Sequence, residues 1–476
     1  MKNQYIFPGL FVLFSSSMAM SKVIPNHTAA DLVLGQADFV SNNAMPVPPS
    51  ATTMNQPYSV AVDPVTRKVF VADRGNSRVL RFGNVENLTN GAAAEAVIGK
   101  MDLTTNFVAA LSASDISAPN SIFLDRQGRL WVIDSGHRVL RFDNANTIPS
   151  GSAAVRVYGQ PDFSSAAPGN AANQMNAPFD LWIDSGDRLW VADAGNHRVL
   201  RFDNISNKPN GANADAVLGQ SGFGMSAPNT GAAGFQDPYG VTVSATGALF
   251  VSSTSQFRVM RFDNAASLAN GAAANAVFGA ADLTSTGGGS SASRFSYVYG
   301  AGVSPDDSLW VNDPFNNRLL RFSNASTKPS GADADGVLGQ PNFTSSDSAT
   351  TSRGLNFPYN RPFIDVDGSV WVADQGNTRV LRFPADTTKP SFALTSKLPK
   401  KNKTKRKFIT LAGTSSDAMG ISKVEYQINR KAFVNAKGLE NWSLKTKLRK
   451  GKNSIRIKVT DKCGNVFENP AISISS

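Results

Sequence analysis

The sequence holds few of the residue types that build metal centres and disulfide-linked cores. It has one cysteine, Cys463, and three histidines, His27, His137 and His197, among 476 residues. A single cysteine cannot form an intramolecular disulfide, so packing must stabilise the fold. The sequence contains neither a zinc-binding spacing nor a Cys–His pair. We therefore expect neither a metal nor another cofactor, and we assign no catalytic residue.

Long apolar runs are absent after the N-terminus, so we predict no transmembrane span. The N-terminus carries Lys2, an apolar run over residues 6–14, and the small residues Ser17 and Ala19. This is the pattern of a secretory signal peptide, with a buried first strand as the alternative. We predict a signal peptide over residues 1–19 and an exported bacterial protein, which is secreted, at the cell surface or in the periplasm.

A segment ending in the motif VLRF, or a close variant, occurs six times. Its copies are spaced by 60, 60, 60, 60 and 61 residues and end at Phe82, Phe142, Phe202, Phe262, Phe322 and Phe383. A second motif, VLGQ or a variant, keeps the same period, and a short apolar run lies between the two. Each unit thus offers four short β-type runs separated by turns. Six such units predict an all-β fold, a six-bladed β-propeller.

The order of the motifs predicts how the propeller closes. The chain opens with a VLGQ motif near residues 31–36 and ends the sixth unit on a VLRF strand. We therefore expect the first strand to be the outer strand of the last blade, which leaves no open edge. One position of each repeat is always aromatic, which we interpret as packing between blades rather than ligand stacking: Phe70, Trp131, Trp190, Phe250, Trp310 and Trp371.

The run VADAGNHRVLRF at residues 191–202 resembles the NHL repeat of β-propellers. All six copies keep its two arginines and its final phenylalanine, and the likeness covers about residues 30–384. The resemblance implies a scaffold that binds proteins, sugars or nucleic acid, with a minority of lyases among its members. A fold of this kind does not choose among these activities.

The last part of the chain resembles a bacterial immunoglobulin-like domain. It carries ITLAGTSSD from Ile409, an alternating run through Ile455, Ile457 and Val459, and a Gly-Asn turn after Cys463. Such alternation is typical of a β-sandwich. We predict an NHL-type propeller over residues 20–384, a linker over 385–396, and a small immunoglobulin-like β-sandwich over 397–476.

Basic residues are concentrated in this last domain. Residues 391–476 contain 19 Lys and Arg against 5 Asp and Glu, whereas residues 1–390 contain 28 against 31. The basic run from Lys400 to Lys407 suits an anionic envelope polymer as a partner, with a solvated basic face as the alternative. We do not expect nucleic acid as a partner, because the chain is exported and no aromatic residues interleave the basic ones.

Candidate binding residues lie where each inner strand begins and rims the central channel. They are Tyr58, Asn120, Asp180, Tyr239, Tyr299 and Arg361. Tyrosines with one charge of each sign suit a polar ligand or peptide. We expect a binding or scaffold protein whose propeller recognises a protein, peptide or polysaccharide, with the basic domain as spacer or envelope anchor. The alternatives are a lyase acting on a peptide or saccharide in the channel, and a purely structural part of a secreted assembly.

Overall fold

Each repeat forms one antiparallel sheet of four strands in the computed structural model of the protein. The structure describes residues 24–43, 47–108, 110–399, 402–417, 420–461 and 463–476. The predicted signal peptide lies outside these residues. Two compact units divide them, one ending at Thr387 and one running from Thr388 to Ser476. No helix among the described residues is long and apolar enough to cross a membrane.

The first unit is a six-bladed β-propeller whose strands pair in chain order within each of the first five blades. The first three blades comprise β2 Pro57–Val62, β3 Lys68–Asp73, β4 Arg78–Asn84 and β5 Ala96–Ile98; β6 Ser121–Leu124, β7 Leu130–Asp134, β8 Arg138–Phe142 and β9 Arg156–Tyr158; and β10 Pro178–Ile183, β11 Leu189–Asp193, β12 Arg198–Phe202 and β13 Ala216–Leu218. The other three comprise β14 Pro238–Val243, β15 Leu249–Ser253, β16 Arg258–Phe262 and β17 Ala276–Phe278; β18 Gly300–Val303, β19 Leu309–Asp313, β20 Arg318–Phe322 and β21 Gly336–Leu338; and β22 Pro358–Ile364, β23 Val370–Asp374, β24 Arg379–Phe383 and β1 Leu32–Leu34. Short 3-10 turns lie at Arg74–Asn76, Val85–Asn87, Ala194–Asn196, Ile205–Asn207, Thr254–Gln256, Ala265–Ser267, Pro314–Asn316 and Gln375–Asn377.

The propeller closes through its first strand. The six inner strands contact one another in a ring that runs from β2 through β6, β10, β14, β18 and β22 and back to β2. As the motif order predicts, β1 pairs antiparallel with β24, with Val33 opposite Leu381. Val33 is fully buried. Both ends of the propeller chain therefore build the sixth blade, and this pairing leaves the ring without an open edge.

A buried ion pair holds the turn between the second and third strands in five of the six blades. In the third blade Asp193 accepts a hydrogen bond of 2.7 Å from Nε of Arg198, and both side chains are fully buried. The other pairs are Asp73 with Arg78, Asp134 with Arg138, Asp313 with Arg318, and Asp374 with Arg379. In the fourth blade Ser253 replaces the aspartate, and the amide oxygen of Gln256 accepts from Arg258 instead.

These buried arginines also account for the long polar loops before the inner strands. Arg198 donates to the carbonyl oxygens of Asn170, Ala171 and Gln174, which all belong to one such loop. Carbonyl groups that are removed from water need donors, and a buried guanidinium needs acceptors. Each loop is long and polar because its backbone folds around one arginine.

The second unit is a β-sandwich of two antiparallel sheets. The strands are β25 Ser391–Leu394, β26 Phe408–Ser416, β27 Ile421–Ile428, β28 Val434–Asn435, β29 Asn441–Lys447, β30 Lys452–Asp461, β31 Val466–Glu468 and β32 Ile472–Ser475. One sheet has the order β25–β26–β29, and the other has β28–β27–β30–β31 with β32 also paired to β30. Leu411, Trp442 and Ile457 lie in its core, and Cys463 is buried. The fold class predicted from the sequence, a six-bladed propeller followed by a small sandwich, is confirmed.

Candidate binding site

The inner strands begin on the propeller face that also carries the turns between the second and third strands, here called the upper face. On this face each inner strand follows a residue in the left-handed backbone region. That residue is never glycine, and it is Gln56, Ala118, Ala177, Asp237, Tyr297 or Phe357. The same left-handed backbone conformation precedes all six inner strands, so side chains in equivalent positions of these strands face a common axis.

Strand pairing corrects the alignment of two candidate residues. Pro57, Pro178, Pro238 and Pro358 occupy one position, because each pairs with the last residue of its neighbouring strand. The residues after these prolines are Tyr58, Phe179, Tyr239 and Tyr359, so Phe179 and Tyr359 hold the position that the sequence alignment gives to Asp180 and Arg361. Asn120 and Tyr299 complete this set in the second and fifth blades. Asp180 and Arg361 follow one and two residues deeper along their strands.

Five of these six positions are aromatic, and their rings meet at the upper end of the channel. We call Tyr58, Phe179, Tyr239, Tyr299 and Tyr359 the aromatic mouth. Ring centroids are 3.9 Å apart for Tyr58 and Tyr359, 4.2 Å for Phe179 and Tyr239, and 4.6 Å for Tyr299 and Tyr359. The guanidinium of Arg74 lies 4.7 Å from the ring centre of Tyr58 and donates to Asn120. The structure thus brings four of the six predicted residues together at this opening.

The other two predicted residues form an ion pair below the mouth. Arg361 donates to Asp180 at 2.9 Å, and both side chains are almost completely buried. The guanidinium also donates to the carbonyl oxygens of Ile122 and Leu181 and lies 5.2 Å from the ring centre of Trp182. Arg361 belongs to the sixth blade and these partners to the second and third, so its side chain crosses the channel.

The extra residue of the sixth repeat makes this crossing possible. The strand β22 has an irregular register between Tyr359 and Phe363. The neighbouring inner strand approaches it closely, since a Cβ atom on Gly300 would lie 2.5 Å from the backbone nitrogen of Arg361. Real Cβ atoms do not come so close to backbone atoms, so glycine is required in the fifth blade. The channel is therefore filled at this level, and the aromatic mouth has a floor.

A second group of aromatic residues extends outward from the mouth. In the third blade the ring nitrogen Nδ1 of His197 accepts a hydrogen bond of 3.1 Å from the backbone of Asp237 in the next blade. His137, Ser77 and Asn317 make the same inter-blade bond. In the fourth blade this position is Phe257, and its ring packs edge-on against Tyr297 of the next blade at 5.0 Å. An aromatic contact therefore replaces a structural hydrogen bond at one place in the ring.

Phe315 stands where three other blades have glycine. A Cβ atom on Gly75, Gly195 or Gly376 would collide with an asparagine that precedes the inner strand, as at Gly75, where Cγ of Asn55 would be 2.3 Å away. In the fifth blade the corresponding residue is the smaller Ser296, which donates its backbone N–H to Asp313 just as those asparagines donate to their aspartates. Phe315 is 49% exposed and contacts Tyr297 and Phe357. Because serine is smaller than asparagine, Ser296 leaves room for the ring of Phe315.

We call Phe257, Tyr297, Phe315 and Phe357 the aromatic patch. It is continuous with the aromatic mouth, because the ring centroids of Tyr299 and Phe357 are 5.9 Å apart. Sequence reasoning missed these four residues as well as Phe179 and Tyr359. For the patch, the signal that could have found them is an aromatic residue at a repeat position where most other copies hold a non-aromatic one. For Phe179 and Tyr359, the signal is the proline that precedes each of them, as in the first and fourth blades.

The phenol groups of Tyr239, Tyr299 and Tyr359 in the mouth are uncharged at neutral pH. Burial raises the pKa of Tyr299 to about 12, and burial also raises the pKa of Tyr239 and Tyr359. The mouth therefore offers ring faces and neutral hydroxyl groups rather than negative charge.

We expect Tyr299→Phe to leave the tyrosinate absorbance of the folded protein unchanged at pH about 10.5, where a free tyrosine is largely ionised. Burial keeps the Tyr299 phenol protonated there, so removing its hydroxyl removes no tyrosinate. The measurement is an alkaline absorbance titration, with circular dichroism as the control for an intact fold. Loss of one tyrosinate equivalent in the variant at this pH would contradict the assignment.

Comparison with known proteins finds likeness in architecture only. No family model and no curated protein sequence matches the chain. Among solved structures it is similar to virginiamycin B lyase from Staphylococcus aureus, at 13% identity over 69% of this chain and 94% of that one, with a TM-score of 0.38. It is also similar to PorZ, a surface component of the type-IX secretion system of Porphyromonas gingivalis, at 12% identity over 88% of this chain and 51% of that one, with a TM-score of 0.41. A nidogen/laminin complex matches at 15% identity over 59% of this chain and 83% of that one, with a TM-score of 0.37.

Proposed function

We propose that this chain is an exported binding protein whose NHL-type propeller recognises its ligand through the aromatic mouth and the aromatic patch. The proposal includes a signal peptide over residues 1–19, a propeller over 20–384, a linker over 385–396 and an immunoglobulin-like domain over 397–476. The basic last domain acts as a spacer or envelope anchor.

The observation that carries the proposal is the exposure of Phe315 within a cluster of rings. Large apolar side chains that group on a surface are typical of interaction sites. Here the aromatic patch is confined to blades four to six, whereas the residues at the equivalent positions of the other blades have structural roles. A packing role would give most blades the same residue, as it does for the buried Asp–Arg pairs of five blades.

The six residues predicted from the sequence have different parts in this proposal. Tyr58, Tyr239 and Tyr299 present rings and hydroxyl groups at the mouth. Asn120 holds Arg74 on the edge of that surface. Asp180 and Arg361 support the rings from below by filling the channel.

The composition favours a protein or peptide ligand over a polysaccharide. Tyrosine, phenylalanine and arginine are enriched in the centres of protein interfaces. The mouth and the patch together contain four phenylalanines and five tyrosines, and Arg74 lies at their border. Rigid rings lose little conformational entropy on binding, which favours their use as anchors.

We expect Phe315→Ser to weaken binding of the full chain to immobilised envelope proteins by at least about tenfold, because truncating a central aromatic anchor costs about 2 kcal/mol or more and every 1.4 kcal/mol is about tenfold in affinity. Phe315 is half exposed and replaces glycine, so the thermal midpoint should not change. Val366→Ser is the matched control, because Val366 is 63% exposed on a hairpin at the opposite end of the inner strand.

Binding of wild type that survives high salt and is lost only in Phe315→Ser supports the proposal. Equal loss in both variants, or retention of polysaccharide fractions alone, would contradict the protein-binding proposal. Chemical conversion of a retained fraction would favour the alternative, a lyase that acts in the channel.

A further inference from the structure

Strand pairing in the second unit joins two basic segments that are far apart in the sequence. In the first sheet β26 pairs with β29, with Phe408 opposite Lys447 and Thr410 opposite Lys445. Beyond the strands, Leu448 donates its backbone N–H to the carbonyl oxygen of Lys407. Residues 403–407 and 445–452 therefore lie side by side at one end of the sandwich, here called the basic end.

The basic end carries a dense and uncompensated positive charge. Its nine basic side chains are all exposed: Lys403, Lys405, Arg406, Lys407, Lys445, Lys447, Arg449, Lys450 and Lys452. The two segments contain no Asp or Glu. None of the nine forms an ion pair with a described residue, whereas Glu425 and Glu468 on the other sheet pair with Lys423, Lys458 and Arg456. The positive charge is thus compensated around Glu425 and Glu468 and uncompensated at the basic end.

An apolar ring lies within this charge. Phe408 is 49% exposed, and Nζ of Lys445 lies 5.8 Å from its ring centre. A solvated basic face needs no exposed phenylalanine. A surface that combines lysines with an aromatic ring is suited to the interface of a membrane, where the ring enters the headgroup layer and the ammonium groups meet phosphates.

We propose that the basic end docks on the phosphate headgroups of an anionic lipid bilayer. This inference deepens the proposed role of the second unit as an anchor and rests on it. The attraction depends on the number of positive groups that face the membrane together, and it weakens as salt screens them. The ring of Phe408 adds an apolar contact with the headgroup layer of a bilayer, which a soluble phosphate polymer does not offer.

The test is co-sedimentation of the full chain with vesicles of phosphatidylcholine alone or mixed with phosphatidylglycerol. We expect binding to the anionic vesicles only, with loss at high salt. The double substitution Lys445→Glu and Lys447→Glu should lower that binding by at least about tenfold, since each basic group near the surface contributes independently. Lys431→Glu with Lys437→Glu is the matched control, because it changes the net charge equally at exposed positions outside the two segments.

Phe408→Ser distinguishes a membrane from a soluble polyanion. It should weaken binding to anionic vesicles several-fold and leave binding to soluble polyphosphate unchanged. Equal effects of the two double substitutions would overturn the inference, because net charge rather than the basic end would then explain binding. No effect of Phe408→Ser on vesicles would overturn the choice of a bilayer. Phe315→Ser should bind vesicles normally, so failure of this inference and failure of the recognition proposal can be told apart.

Discussion

Val33→Asp is expected to lower the free energy of unfolding by at least about 4 kcal/mol, because it buries an unpaired carboxylate. Val33 is the middle residue of β1 and packs in a cluster with Trp310, Leu381 and Phe383. The same change disturbs β1, which pairs with β24 and so joins the N-terminal end of the propeller to its sixth blade. An opened sixth blade exposes an unpaired strand edge, so the variant should also aggregate.

Urea unfolding and light scattering measure both effects. Val40→Asp is the matched control, because Val40 is 70% exposed a few residues further along the chain. This control should change the free energy of unfolding by no more than about 0.5 kcal/mol. Similar stability of the two variants would show that β1 does not close the ring.

Arg198→Ala is expected to lower the free energy of unfolding by about 3–5 kcal/mol, because it leaves Asp193 as an uncompensated buried charge. It also removes three hydrogen bonds to the carbonyl oxygens of Asn170, Ala171 and Gln174. The loop over residues 170–174 should then exchange its amide protons faster than in wild type.

Lys208→Ala is the control for Arg198→Ala. Lys208 pairs with Asp215 at 3.0 Å, but the carboxylate is 37% exposed. Exposed pairs contribute less than about 1 kcal/mol, so this variant should stay close to wild type in urea unfolding. A small effect of Arg198→Ala would mean that the repeated ion pairs do not stabilise the blades.

The architecture could be predicted from the sequence because the same pair of motifs occurs six times at a nearly constant spacing. The six VLRF and VLGQ motifs give the blade number, the strand order and the ring closure, all of which depend on local patterns. Even the equivalence of His137 and His197 follows from their place in the repeat. Their task, accepting a backbone hydrogen bond from the next blade, depends on contacts between repeats and becomes visible only in the structure.

The candidate site was only partly accessible, for physical reasons that differ between residues. Asp180 was misaligned because the third repeat was not aligned on the proline, Pro178, that begins its inner strand. Arg361 was misaligned because the register of β22 shifts between Tyr359 and Phe363. Arg361 occurs once, so no periodic pattern predicts that its side chain crosses the channel. Phe315 becomes informative only next to Ser296, because a side chain in its place would collide with the asparagine that three other blades hold at the Ser296 position.

The basic end of the second unit could likewise be predicted only in part from the sequence. Sequence reasoning found the run that ends at Lys407, where the charges are contiguous. Lys445 and Lys447 alternate with buried residues of β29, so they do not form a contiguous run of charge in the sequence. Only the pairing of β26 with β29 shows that both segments contribute to one surface.

The central claim is that the aromatic mouth and the aromatic patch of the upper face recognise the ligand. Hydrogen–deuterium exchange of the full chain, with and without an envelope protein fraction that it retains at high salt, tests this claim most directly. We predict slower exchange of the backbone amide protons in residues 254–257, 296–299 and 314–317, which contain Phe257, Tyr297 and Phe315 of the aromatic patch. Protection confined to the hairpins at 63–68 and 365–369, on the opposite face, would contradict it.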